Sequence, residues 1–142
     1  VKVKALAIDA YAIVGMMHGS SCPADIFLTQ GDAGTQASRD GLRTMLKMTA
    51  SAGLSAIPSA WYHEADKRNG IYEFVKGSLR LIFFKGRNGQ IAVCTGGVVK
   101  KGQKADKTSV AYAIRCKKDY IAALAAEGIE LVEDNGEPHE TE

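Results

Sequence analysis

The sequence predicts an α+β protein, and three observations carry that prediction. Three short runs, Ile71–Lys76, Leu79–Phe84 and Gln90–Val99, are rich in β-branched and aromatic residues. They are separated by the turn dipeptides Gly77-Ser78 and Asn88-Gly89, the second suited to a tight hairpin with positive φ. Residues 35–53 and 108–127, before and after these runs, carry apolar residues at helical spacing. The expected arrangement is an antiparallel sheet built on a three-stranded meander, with an N-terminal helical segment and a C-terminal helix packed around it.

Each element follows from its own residues. Residues 1–17 read as a first strand and its apolar continuation, opening on the alternation Val1-Lys2-Val3-Lys4. Lys2 and Lys4 ahead of an apolar run imitate a signal peptide. Asp9 interrupts that run, and the stretch is too short to span a membrane, so it is assigned to the fold. Gly19–Pro23 is turn material, and Pro23-Ala24-Asp25 opens a short helix that reaches Gln30. Gly31-Asp32-Ala33-Gly34 breaks it. Between Thr35 and Gly53, Leu42, Met45, Leu46 and Thr49 fall on one face, and Arg39, Arg43 and Lys47 on another. Met45 and Met48 are expected to fill the core. Residues 54–69, with Pro58, Trp61 and His63, form a connection that ends at Asn69-Gly70. In the last helix Val110, Ala113, Ile114, Ile121 and Leu124 make the apolar stripe. Thr108 or Ser109 is its expected cap and Gly128 its stop. Residues 129–133 add a short strand.

A chain of 142 residues, 46% hydrophobic and 24% charged, has the size and composition of one folded domain. That domain is read as residues 1–133, followed by an acidic tail at 134–142. Cys22, Cys94 and Cys116 form no CxxC pair, so reduced core thiols are expected rather than a zinc knuckle or a disulfide framework. Charge is distributed unevenly. Residues 1–66 carry 5 Lys/Arg against 6 Asp/Glu, residues 67–119 carry 13 against 3, and residues 120–142 carry none against 7. The central block, at +10, points to a polyanion, of which nucleic acid is the commonest soluble kind.

Several catalytic patterns are absent. There is no GxxxxGK[ST] or GxGxxG phosphate loop and no GxSxG turn. His18, His63 and His139 have no ligand-like spacing, and no metal or cofactor is expected. What remains is the basic block. Arg80 stands inside an otherwise apolar strand, where a charge is costly unless it meets a solvated groove or a counter-charge. Two explanations stand side by side: Arg80 faces a groove for a polyanion, or it pairs with Glu73 on the neighbouring strand. Directly after the third run, Val98-Val99-Lys100-Lys101-Gly102-Gln103-Lys104-Ala105-Asp106-Lys107-Thr108 places four lysines between strand and helix. With Arg80, they form a set able to clamp a phosphodiester and stabilise charge during its cleavage. Lys76 and Arg115 belong to the same basic block.

Ile71-Tyr72-Glu73-Phe74, Leu79-Arg80-Leu81-Ile82-Phe83-Phe84, Val98–Lys101, Gln103-Lys104 and Lys107-Thr108, with Ala113 in the last helix, resemble the RelE/HigB branch of the RelE/ParE toxin superfamily. The phage-derived HigB-like proteins are the nearest branch. The resemblance spans about residues 61–124 and implies a RelE-like fold. It further implies the toxin of a type II toxin–antitoxin system, a ribosome-dependent endoribonuclease that cuts mRNA by attack of the RNA's own 2′-hydroxyl without a metal. Arg80 matches the family's strand arginine, and Lys100, Lys101 and Lys104 match its basic loop. His63 lies near the place where some members carry a histidine. Arg80, His63 and Lys104 are therefore the expected catalytic residues, and Lys76, Lys100, Lys101, Lys107 and Arg115 the expected RNA contacts. His63 is read equally as a packing residue beside Trp61 and Tyr62. The implied partners are mRNA, the ribosome and an antitoxin of helix-turn-helix type, in the cytoplasm and without a membrane.

The sequence departs from the family in one place that bears on chemistry. Val75 stands where many members carry Arg, and Lys76 beside it is expected on the opposite face. Two other readings stay open: a ParE-like toxin acting on gyrase, and a catalytically silent RNA-binding or adaptor module of the same fold.

Overall fold

The computed structural model of the chain describes residues 1–100 and 106–132. In chain order its elements are β1 (Lys2–Ile8), β2 (Ala12–Met16), α1 (Pro23–Thr29), α2 (Gln36–Ala52), β3 (Tyr62–Asp66), β4 (Ile71–Lys76), β5 (Leu79–Phe84), β6 (Gln90–Val99), α3 (Lys107–Ala125) and β7 (Glu130–Val132). The α+β class is as predicted, and β4, β5 and β6 form the antiparallel meander over the predicted residues. Asn88 and Gly89 take φ of 57° and 84°, the left-handed pair that turns β5 into β6.

The sheet is larger than expected and is mixed rather than antiparallel throughout. Its strand order is β3-β4-β5-β6-β2-β1-β7, with β2 parallel to β6 and β1 parallel to β7. Two strands account for the difference. Residues 1–17 are a hairpin, not one strand with a continuation. Asp9 N–H donates to Tyr11 O at 2.9 Å in the turn, so the residue that interrupts the apolar run reverses the chain. β2 is then a central strand with Ile13 and Val14 fully buried, and it reads as a continuous apolar run. The 54–69 connection likewise contains β3, an edge strand of sequence YHEAD whose polar residues hide its extended character.

Period two along the strands sorts the core into two layers. Phe74, Leu79, Leu81 and Phe83 face α1 and α2, where Leu28, Leu42, Met45 and Leu46 meet them. On this side Phe74 stacks on Phe83 at 4.3 Å and Tyr72 on Phe83 at 5.4 Å. Ile71, Ile82, Phe84 and Val93 face α3 through Ala113, Cys116 and Tyr120. Of the expected apolar stripe of α3, Ala113, Ile114 and Leu124 pack on this side, but Ile121 is exposed, while Tyr120 is buried and its hydroxyl donates to Gln90. The N-cap is Asp106, not Thr108 or Ser109. Its Oδ2 accepts from Ser109 N–H at 2.9 Å and from Ser109 Oγ at 2.6 Å. Met45 is buried as expected, but Met48 is exposed. The three cysteines are free and buried, and burial pushes the Cys94 thiol up. Among the described residues no helix is long and apolar enough to cross a membrane. The 134–142 tail lies outside the described residues.

Candidate active site

Strand register brings four polar side chains to one point. His63 is paired with Glu73, Val75 with Arg80, and Arg80 with Val98. Directly opposed residues share a face of the sheet, as do residues two apart on one strand. His63, Glu73 and Arg80 therefore stand on the face that carries α3. Lys100 continues β6 beyond Val98, and its N–H donates to Ser78 O at 2.7 Å, which holds the chain in register past the strand end.

Glu73 is the hub. Its side chain is only 3% exposed, and one oxygen, Oε1, lies 2.7 Å from His63 Nε2, 3.8 Å from Arg80 Nε and 3.9 Å from Lys100 Nζ. The first contact is a hydrogen bond, and the other two are ion pairs beyond hydrogen-bond distance. A buried carboxylate is tolerated only with such partners. The side chains of Arg80 and Lys100 are 16% and 13% exposed, whereas that of His63 is 52% exposed and reaches solvent.

Arg80 satisfies part of each explanation offered for it. Nη1 donates to Gly77 O at 2.8 Å and Leu79 O at 3.0 Å, which ties the guanidinium to its own hairpin. Nε is buried without a hydrogen bond and faces Glu73. Because a carboxylate oxygen accepts, the Glu73 contact assigns the imidazole proton to Nε2 and leaves Nδ1 as the basic nitrogen. His63 also borders an open concavity of about 410 Å³ that Tyr62 and Tyr72 line from the β3 edge.

The other expected residues are dispersed. Lys76 pairs with Leu79 and lies against Gly41 of α2, on the face opposite Arg80. Val75 lies opposite Arg80, so the position that carries Arg in many members of the resembled family is apolar here. Lys107 is exposed at the start of α3. Arg115 lies over the Tyr112 ring at 5.6 Å and lines a separate groove between α1 and α3. Lys101 and Lys104 lie outside the described residues. Glu73, weighed from sequence only as a partner for Arg80, proves to join His63, Arg80 and Lys100; a lone acid in an apolar strand was the signal for it. Among the described residues no three His, Cys, Asp or Glu side chains are grouped as a metal site. No protein-family model matches the chain, and no curated protein matches it in sequence.

Proposed function

We propose that this chain is an endoribonuclease of the RelE/HigB kind, the toxin of a type II toxin–antitoxin pair that cuts mRNA on the ribosome. The observation that carries the reading is the meeting of His63, Arg80 and Lys100 at one buried carboxylate, with the imidazole open to solvent. The element order also supports a RelE-like fold: a glycine turn, an Arg-bearing strand, a second turn, a third strand, a lysine loop and a helix.

In this reading the phosphodiester lies over His63, Arg80 and Lys100. His63 Nδ1 takes the proton from a 2′-hydroxyl while Glu73 holds the ring through Nε2–H. The O2′–P bond forms as the P–O5′ bond breaks, and the departing oxygen takes a proton from an ammonium of the lysine loop, for which Lys104 is the expected donor. The products are a 2′,3′-cyclic phosphate and a 5′-hydroxyl. A positioned base contributes about 10²- to 10⁴-fold, and a preorganised cationic donor about 10²- to 10³-fold.

One observation favours a second reading, the silent RNA-binding module. Arg80 Nη1 is held by Gly77 and Leu79, and Glu73 already occupies the centre of the cationic set. Induction in bacteria without an antitoxin distinguishes the two. A nuclease arrests growth and leaves mRNAs with new 5′-hydroxyl ends inside translated codons. The silent module leaves growth and mRNA ends unchanged. Growth arrest with intact mRNA and a DNA-damage response supports the gyrase-directed alternative.

A further inference from the structure

The basic block of the sequence is divided in space. Arg80, Lys100 and Lys107 lie toward the end of the sheet where β6 finishes. Six other cations gather at the opposite end: Lys67 and Arg68 between β3 and β4, Lys85 and Arg87 between β5 and β6, and Lys117 and Lys118 on α3. They line two concavities of about 420 and 160 Å³ that share Gly70, Lys117 and Ile121, and no Asp or Glu lines either one.

Local neutralisation of these cations is slight: Arg68 lies near enough to Asp66 to help lower its carboxyl pKa. None of the six forms an ion pair among the described residues. The nearby carboxylate of Asp66 accepts from Asn69 N–H at 3.1 Å and Asn69 Nδ2 at 3.0 Å, so it is committed to its own turn. Lys117 Nζ donates to Asn69 O at 2.8 Å and fixes α3 against that turn, while Lys85 lies over the Tyr72 ring at 5.0 Å. Two clefts edged by cations and free of carboxylates, one of them also lined by Tyr72 and Tyr120, suit a flexible polyanion with exposed bases. An acidic protein surface fits them less well, because both are concave.

We infer that this end of the sheet is a second phosphate-binding surface, which holds RNA backbone running away from the Glu73 cluster; the inference rests on the RNA reading above. Glu73 on β4 and Gly70 in the turn before it are three residues apart, about 10 Å at the rise of a strand, so the two sites lie within a few nucleotides of each other. Ile114 lines the larger of the two clefts, and it packs with Ala65 against the apolar cluster on the α3 side of the sheet.

The test compares the parent protein with K67Q/R68Q and K85Q/R87Q. All four side chains are exposed, and Lys117 is left intact because it holds the turn. Binding of labelled single-stranded RNAs of 4 and 16 nucleotides is measured from 50 to 300 mM salt. Each variant is expected to bind the 16-mer with a log–log salt slope shallower by about 0.7 for every phosphate it no longer neutralises. The 4-mer is expected to lose less affinity than the 16-mer, and single-turnover cleavage at saturating protein is expected to be unchanged. Equal 16-mer affinity and slope in parent and variants, while Arg80→Ala or Lys100→Ala still weakens binding, would overturn the second surface and leave the RNA reading standing. A parent protein that binds neither RNA overturns both.

Discussion

Glu73 Oε1 and His63 Nε2 lie 2.7 Å apart across the β3–β4 register, and this bond joins a buried acid to a solvent-reaching base. Its position follows from strand pairing, since His63 is the direct partner of Glu73. In the proposed reading the two side chains act as a single unit. Glu73→Gln and His63→Gln are each expected to reduce single-turnover cleavage, the first by about 10- to 100-fold, the usual effect of removing a residue that orients an active group. The double variant is expected to be no slower than the worse single one. Multiplicative losses would show that the two side chains act separately.

The packing of α1 on β6 makes a stability prediction. Gly97 lies directly beneath the Phe27 ring, and a Cβ there would overlap the ring atoms. Gly97→Ala is expected to destabilise the fold by about 1–3 kcal/mol, the range for overpacking a filled site. Phe27→Leu in the same chain should recover part of that loss in urea unfolding. An alanine variant as stable as the parent would mean that α1 is free to move off β6.

Acid stability is linked to two turn carboxylates. Hydrogen bonds from the Ser109 side chain and N–H hold Asp106 below the usual carboxylate range, and those from Asn69 do the same for Asp66. A group whose pKa is depressed by folding stabilises the native state above its unfolded value, about 3.9. That contribution falls away as pH drops through the lower folded value. Asp106→Ala and Asp66→Ala should therefore lower Tm at pH 7, and the differences from the parent should shrink below pH 4. A difference that persists unchanged at pH 2 would assign the effect to something other than these charges.

Much of the meander was legible because its signals are local. Apolar runs of strand length and the Asn88-Gly89 turn specify β4, β5 and β6 within a few residues of sequence. The edge strand β3 was not legible, because Tyr62–Asp66 is held by pairing to β4 rather than by an apolar pattern of its own. The β1–β2 hairpin was hidden for the converse reason: both strands are so apolar that one short turn at Asp9 left little mark. At the site, Arg80 was visible as a charge in an apolar strand. Lys76 and Arg115 were not separable from it by composition. Strand parity sends Lys76 to the α2 side, and helix phase sends Arg115 to the groove beside α1. The partnership of Lys100 with Glu73 depends on the β5–β6 register, which no local pattern encodes.

Lys100 and Lys107 carry compact ammonium charges, whereas Arg80 is a planar donor held on a strand by Gly77 and Leu79. Lys100→Ala combined with Lys107→Ala should therefore weaken ribosome affinity and flatten its salt dependence by about 0.7 to 0.9 for each phosphate left without its lysine. The rate at saturation should fall less than it does for Arg80→Ala. Equal affinity of parent and double variant across a salt series would remove both lysines from the RNA surface.

In the proposed function the Glu73 cluster performs cleavage and does not merely bind RNA. Single-turnover cleavage of ribosome-bound mRNA by parent and Arg80→Ala protein, at saturating protein and with product ends identified, tests it most directly. The parent is expected to yield 2′,3′-cyclic phosphate and 5′-hydroxyl ends, with Arg80→Ala slower by about a hundred- to a thousand-fold and ribosome affinity within a few-fold of the parent. An intact mRNA with the parent protein, or equal losses of rate and affinity in the variant, would contradict it.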